Sequence, residues 1–394
     1  MPLWVFLPIP LTGSGVADSC GSLSEAMANQ DLAVTIVTPR ANPWLAPSVQ
    51  VVEVLPRWTR RLPYRWLRNR AARQIERVFL SQMAGQRSQT AAANIWPDAS
   101  LDTIRKLRAN GITVFRDMVN CHVATAKRIL DEAYEKLGVA PGHGISSQSV
   151  QQEQQGLDAV DYIFCPSASV KASLLENDVP AGKLLETSRG WDPARFSGSH
   201  RLLPPSEGLT AVFVGSLCVR KGVHLLLDYW ARSGVKGRLV LAGEMEAIIK
   251  EKCADLLDRD DVIVLDYFRD IGSLYRSADI FVLATLEEGS PRVTYEACGC
   301  GLPVITTPMG AGPVVRHNRE GFVIDPNDRD GWIAAIRTLA EDIELRRTMA
   351  KAAAERAQSF VWSKVAARRR RLILSALGGR LSPSSQSLLD EDPC

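Results

Sequence analysis

The chain is predicted to be α/β, with two halves that each carry a parallel-sheet pattern. Three observations predict this. Short apolar runs recur along the length, and they alternate with stretches of helical period. A Gly-, Pro- and Ser-rich segment at 190–208 has no period and divides the alternation into two blocks. At 394 residues two domains are the natural expectation, and 46% hydrophobic with 23% charged residues is an ordinary globular composition. Ligands of such sheets bind beyond the carboxyl ends of the strands, so two facing halves imply a central cleft.

In the first block, residues 3–8 (LWVFLP) read as a buried strand, followed by Gly13, Ser14 and Gly15, a helix over 19–30 and the strand 34–39 (VTIVTP). The Gly-Ser-Gly turn is a contact for phosphate or sugar, or a plain tight turn. No acidic residue follows where a dinucleotide fingerprint needs one. Strands are expected at 91–96 (AAANIW), 112–115 (ITVF) and 161–167 (DYIFCPS), with helices near 100–109, over 146–158 and through Glu176. His122 lies in VNCHVATAKRIL, where a strand hands over to a helix. That location points toward a crevice in a doubly wound sheet, although a lone His also serves structural roles.

The second block gives strands at 209–216, 238–243, 261–267, 279–284, 303–307 and 321–326. A basic loop, Val219-Arg220-Lys221-Gly222, precedes the helix VHLLLDYW. Helices are expected over 246–257, 270–277, 328–341, 343–358 and 362–377, the last with Arg368 to Arg371 in a row, and the polar tail from Gly378 is expected to be disordered. Between two of these strands lies the most informative stretch, EEGSPRVTYE, with Glu288 on a strand-end loop and Glu296 in the helix that follows. Gly289, Ser290 and Pro291 mark the turn. The amides at Arg292, Val293 and Thr294 then sit at a helix N-terminus, where backbone N–H groups suit a phosphate. A carboxylate accepts from two vicinal hydroxyls, so this combination suits a nucleotide sugar.

Residues 57–77 hold eight arginines and one acid, a net +7 in a chain whose total is +3, so the remainder is −4. Trp58, Tyr64 and Trp66 are interleaved, and Leu67, Ala71, Ile75 and Val78 recur at helical spacing. A basic helix with aromatic residues near its start suits an anionic membrane surface, and the alternatives are a solvated helix face or nucleic acid. Eight cysteines show no paired metal spacing and read as small buried side chains in a reducing compartment. Asp328-x-Asp330 opens a helix, where acids cap. The apolar run Leu3–Ile9 is broken by Pro8, lacks a basic flank and is too short for a signal peptide or a span. The expected location is the cytoplasm, peripheral on the inner membrane face.

Three pieces together closely resemble the retaining glycosyltransferases of family 4: VGSLCVRKGVHLLL (214–227), ADIFVLATLEEGSPRVTYEACGCGLPVITT (278–307) and GFVIDPNDRDGWIAAI (321–336). VNCHVATAKRIL and DYIFCPSASVKASLLENDVP look like corresponding first-half segments. The resemblance implies the GT-B architecture, two Rossmann-like domains facing a cleft. These would be an acceptor-side domain over 1–198, a donor domain over 199–361, and a helix over 362–377 that crosses back, its arginines free to join the basic face of 57–77. It implies that Glu288 lies beside the transferred sugar, Glu296 holds the ribose, Lys221 binds the diphosphate and His122 contacts the donor sugar. The family often has an arginine directly after the glycine of the first piece. Here that residue is Ser216, with Arg220 and Arg292 as candidate replacements.

The implied activity is transfer of a hexose from a UDP- or GDP-sugar to a lipid-linked or saccharide acceptor, with retention, with no metal or other cofactor and no nucleic acid. A nucleotide-sugar epimerase of the same architecture and a non-catalytic nucleotide-sugar-binding protein are the alternatives.

Overall fold

Apolar runs without alternation need cover on both faces, which a parallel sheet flanked by helices provides. The computed structural model describes residues 1–42, 48–84, 91–97, 99–266 and 270–378. Among these, the first sheet contains β1 (Pro2–Phe6), β2 (Ala33–Thr38), β3 (Val49–Glu53), β4 (Ala92–Ile95), β5 (Thr113–Asp117), β6 (Tyr162–Cys165) and β7 (Leu184–Glu186). Their spatial order is β3-β2-β1-β4-β5-β6-β7, all parallel, with Val5 flanked by Ile36 and Asn94. The second sheet contains β8 (Leu209–Val214), β9 (Gly237–Ala242), β10 (Val262–Leu265), β11 (Ile280–Leu283), β12 (Val304–Thr306) and β13 (Gly321–Val323). Its parallel order is β10-β9-β8-β11-β12-β13. These are two Rossmann-like α/β domains.

Every run read as a strand is one. β8 is buried along its whole length. Each such Val, Leu or Phe contributes about 1.5–3 kcal/mol over an exposed one. β3 and β7 are additional. Both are sheet edges, paired on one side only, so their composition lacks the continuous apolar signature of inner strands. The first helix begins at Gly15 and ends at Met27, earlier than its apolar content indicates, and the helix expected over 246–257 is interrupted at Cys253. Tyr267 and the tail from 379 lie outside the described residues.

The strand order reverses between β1 and β4, and again between β8 and β11. Such switch points open a crevice at the strand ends. The period-free segment at 190–208 is anchored rather than loose. Trp191 is buried, its indole N–H donates to the Ala357 carbonyl at 2.8 Å, and its backbone pairs with Phe360 and Trp362. The helix Trp362–Leu377 packs against Gly15–Met27 in the first domain. Its arginines do not form one surface. Arg369 is 0% exposed and pairs with Asp117 at 2.7 Å, because positions 365, 366, 369, 372 and 373 form the inward face of this helix.

Candidate active site

Two adjoining cavities of about 380 and 390 Å³ share Gly15, Ser216, Arg292, Val293 and Glu296. The first is lined from all four switch-point loops: Gly15 after β1, Trp96 after β4, Ser216, Arg220 and Lys221 after β8, and Glu288 and Ser290 after β11. Gly13 and Ser14 line the second, opposite Gly243 and Glu244 after β9 and Ile271 beyond β10. Size alone does not select a site. A cavity of about 460 Å³ beside the helix Val123–Lys136 contains neither Glu288 nor Glu296.

The β11 loop is built by close backbone approach. A Cβ on Gly289 would fall 1.9 Å from the Val119 carbonyl oxygen, so only glycine lets this loop touch the first domain. Gly222, at φ 66°, plays the same part where the Lys221 loop meets Ala284. Glu288 Oε1 accepts from Arg220 Nη1 at 2.7 Å and is in contact with Lys221 Nζ. Glu296 pairs with Arg292 one helical turn earlier, at 3.2 Å. Arg292 also reaches across the cleft to Asp18, which Arg195 joins at 2.8 Å. The helix Arg292–Gly299 has Pro291 at its N-cap and no side-chain cap; the Thr294 amide donates to the Pro291 carbonyl at 3.2 Å, which leaves the Arg292 and Val293 amides for an anion.

Burial brings the Lys221 ammonium down to about 7, with Arg220 adding its repulsion. Cys218 and Glu287 act in the opposite direction. A diphosphate arriving here would restore the charge and be neutralised by it.

The predicted residues Gly13, Ser14, Gly15, Ser216, Arg220, Lys221, Glu288, Ser290, Arg292, Val293 and Glu296 are thus brought together. The structure does not bring His122 or the side chain of Thr294 into these cavities. His122 is 1% exposed. Its Nδ1 accepts from the Ala124 amide at 3.1 Å, capping the helix it precedes, and its Nε2 lies 3.0 Å from Gln154 Oε1. Thr294 is buried with its hydroxyl on the Gly310 carbonyl at 2.9 Å. In place of His122 the first domain offers Asn120 and Arg189, the latter over the Trp96 ring at 5.1 Å. Both follow strands of the first sheet, and strand-end position was the only signal available for them. Asp328 accepts from the Gly331 amide at 3.0 Å as a helix cap.

The sequence model described as glycosyl transferases group 1 matches residues 208–342. Over 115 residues the chain is 32% identical to a D-inositol 3-phosphate glycosyltransferase of Paenarthrobacter aurescens, covering 29% of this chain and 28% of that one. The chain spans about half or less of the length of the first curated relatives it matches. Among solved structures, a sucrose-phosphate synthase from Thermosynechococcus elongatus superposes with a TM-score of 0.75 at 18% identity, over 96% of this chain and 99% of that one. The Anabaena protein HepE in complex with UDP-glucose gives 0.66 at 16% identity, over 95% and 99%. The first curated relatives are each named as a D-inositol 3-phosphate glycosyltransferase. The fold is that of the GT-B glycosyltransferases, and its second domain matches the glycosyl transferases of group 1.

Proposed function

We propose that the protein is a retaining hexosyltransferase of family 4 that uses a UDP- or GDP-sugar and a lipid-linked or saccharide acceptor. The observation that carries this reading is the single cavity wall formed by Lys221, Arg220, Glu288, Arg292 and Glu296 at the second domain's switch point, facing Gly15 and Trp96 at that of the first. Glu296 accepts from the ribose hydroxyls, the amides at 292 and 293 and the Lys221 ammonium hold the diphosphate, and Glu288 lies at the sugar. Arg220 stands beside Lys221, where it supplies the cation missing at Ser216. UDP and UDP-glucose are named in complexes of the structurally similar HepE, which supports a nucleotide-sugar donor. In the chemical step the bond from the anomeric carbon to the diphosphate oxygen breaks. The acceptor oxygen bonds to the same face of that carbon, and its proton passes to the departing phosphate. No step calls for a metal.

The test is incubation with UDP- and GDP-hexoses plus lipid or saccharide acceptor, reading nucleotide release and the anomeric configuration by NMR. Acceptor-independent interconversion of sugars means an epimerase, and binding without turnover means a binding protein. Within this reading Glu296→Ala is expected to weaken UDP or GDP binding by about tenfold, the size of one charged hydrogen bond. Glu288→Ala is expected to leave that binding within about twofold while depressing turnover by a hundredfold or so. Calorimetry and steady-state kinetics separate the two, and equal effects on both quantities contradict the assignment.

The acceptor side of the reading includes an anionic membrane surface. Trp58 and Trp66 are 65% and 66% exposed, the eight arginines of 57–77 are exposed, and of these Arg60 alone pairs with an acid among the described residues. The helix Tyr64–Met83 buries Ala71, Ile75, Phe79 and Met83 on its other face. Among the described residues no helix is long and apolar enough to cross a membrane. Changing Arg65, Arg68 and Arg73 to Glu is expected to cut binding to phosphatidylserine vesicles at least a hundredfold, at about 1 kcal/mol per basic residue. Undiminished sedimentation with vesicles rejects this surface.

A further inference from the structure

Glu287 and Glu288 are neighbours in sequence, yet their carboxylates point to opposite sides of the β11 loop. Glu288 faces the cations of the donor cavity. Glu287 is 0% exposed and turns into the first domain, 166 residues away in sequence. There its Oε1 accepts from the Cys121 amide at 3.2 Å and its Oε2 from Asn120 Nδ2 at 3.1 Å. Arg220 Nη1 approaches Oε2 to 3.6 Å and donates to the Glu287 carbonyl at 3.1 Å. The same loop is held at Gly289, whose carbonyl accepts from Ser167 Oγ at 2.6 Å and whose α-carbon abuts Val119. The segment 119–121 is therefore clamped on 287–289.

A buried carboxylate needs its lone pairs filled, since an unmet charge is costly to desolvate. Separating the domains returns Glu287 to water, and closing them requires the donors of residues 120 and 121. Closure also has a geometric consequence, because in this closed arrangement Asn120 both pairs with Glu287 and lines the donor cavity. We infer that Glu287 is a positioning residue that latches the two domains closed and so presents Asn120 as the first-domain wall of the donor cavity. Its orientation gives it no part in holding the nucleotide. Only the turnover arm of the test below rests on the transfer reading.

The experiment compares the full-length wild type with Glu287→Ala by small-angle X-ray scattering, with UDP and with GDP. Wild type with the nucleotide that binds is expected to match the scattering calculated from this closed structure. Glu287→Ala is expected to have a larger radius of gyration, nucleotide affinity within about threefold of wild type, and turnover lowered by about tenfold or more. Asn120→Ala should open the domains similarly, and the double variant should add little, because the two residues share one contact. Glu287→Gln should recover closure, since its amide oxygen still accepts from Cys121 N–H and the Asn120 amide can rotate to pair with its NH₂. Unchanged scattering in Glu287→Ala overturns the latch, whatever the activity. A loss of nucleotide affinity that equals the loss of turnover also overturns it, by placing Glu287 in the donor site. Loss of turnover by a variant that stays closed does the same.

Discussion

Lys221→Ala is expected to lower kcat/KM by a hundred- to a thousandfold, the usual effect of removing one preorganised charge from a developing anion. In the proposed transfer the leaving diphosphate gains charge as the glycosidic bond breaks, and Lys221 is the buried point charge on that side of the cavity. The pH dependence gives a sharper readout. Burial and Arg220 hold the free ammonium at about 7. Below that pH the residue is already charged when a diphosphate arrives. Above it, binding must take up a proton, so affinity for UDP or GDP is expected to fall by up to tenfold per pH unit above about 7. Lys221→Met removes the titrating group and should abolish this slope as well as most of the affinity. Calorimetry between pH 6 and 9 checks both. A slope that survives in Lys221→Met assigns the titration to another group.

Asp117→Ala is expected to destabilise the first domain by about 3–5 kcal/mol, the cost of leaving a buried charge without its partner. Asp117 accepts from Arg369 through two bonds, at 2.7 and 3.0 Å, and from Asn94 at 3.0 Å, with Arg189 at 3.8 Å. The Arg369 guanidinium also lies 3.6 Å from the centre of the Phe164 ring. Removing the acid therefore leaves two buried guanidinium groups facing each other. The returning C-terminal helix should loosen from the first domain. Asn120, three residues beyond Asp117, should lose its position at the cavity. Denaturant unfolding followed by tryptophan fluorescence measures the loss, and the transition is expected to split because the two domains no longer unfold together. The pair Asp117→Leu with Arg369→Met should regain much of the stability, since an apolar pair of similar volume avoids the desolvation. Equal stability of Asp117→Ala and wild type removes this cluster from the account of how the helix is held.

Much of the fold was legible because its signal is local. Inner strands of a parallel sheet are buried on both faces, so β1 and β11 are apolar without interruption and β8 is broken only by Thr210. The edge strands β3 and β7 carry no such signature. The loop of Glu288 and the helix of Glu296 were legible for a related reason. A strand end followed by Gly-Ser-Pro and a helix start fixes where carboxylates and free amides stand, whatever lies across from them.

The sequence by itself determined two α/β domains, the strands that build them, and the set of cations and carboxylates on the second domain's strand-end loops. Tertiary structure alone decided which side chains meet. It turned His122 inward to cap a helix, drew Arg369 out of a basic row into the core, and set Glu287 and Glu288 back to back on one loop. Each of these depends on a partner in another element, and for Arg369 and Glu287 that partner lies in the first domain, more than a hundred residues away. Hydrophobic period and turn chemistry report the backbone's path. Only the packed interface settles which neighbouring polar groups remain to be satisfied once water is excluded.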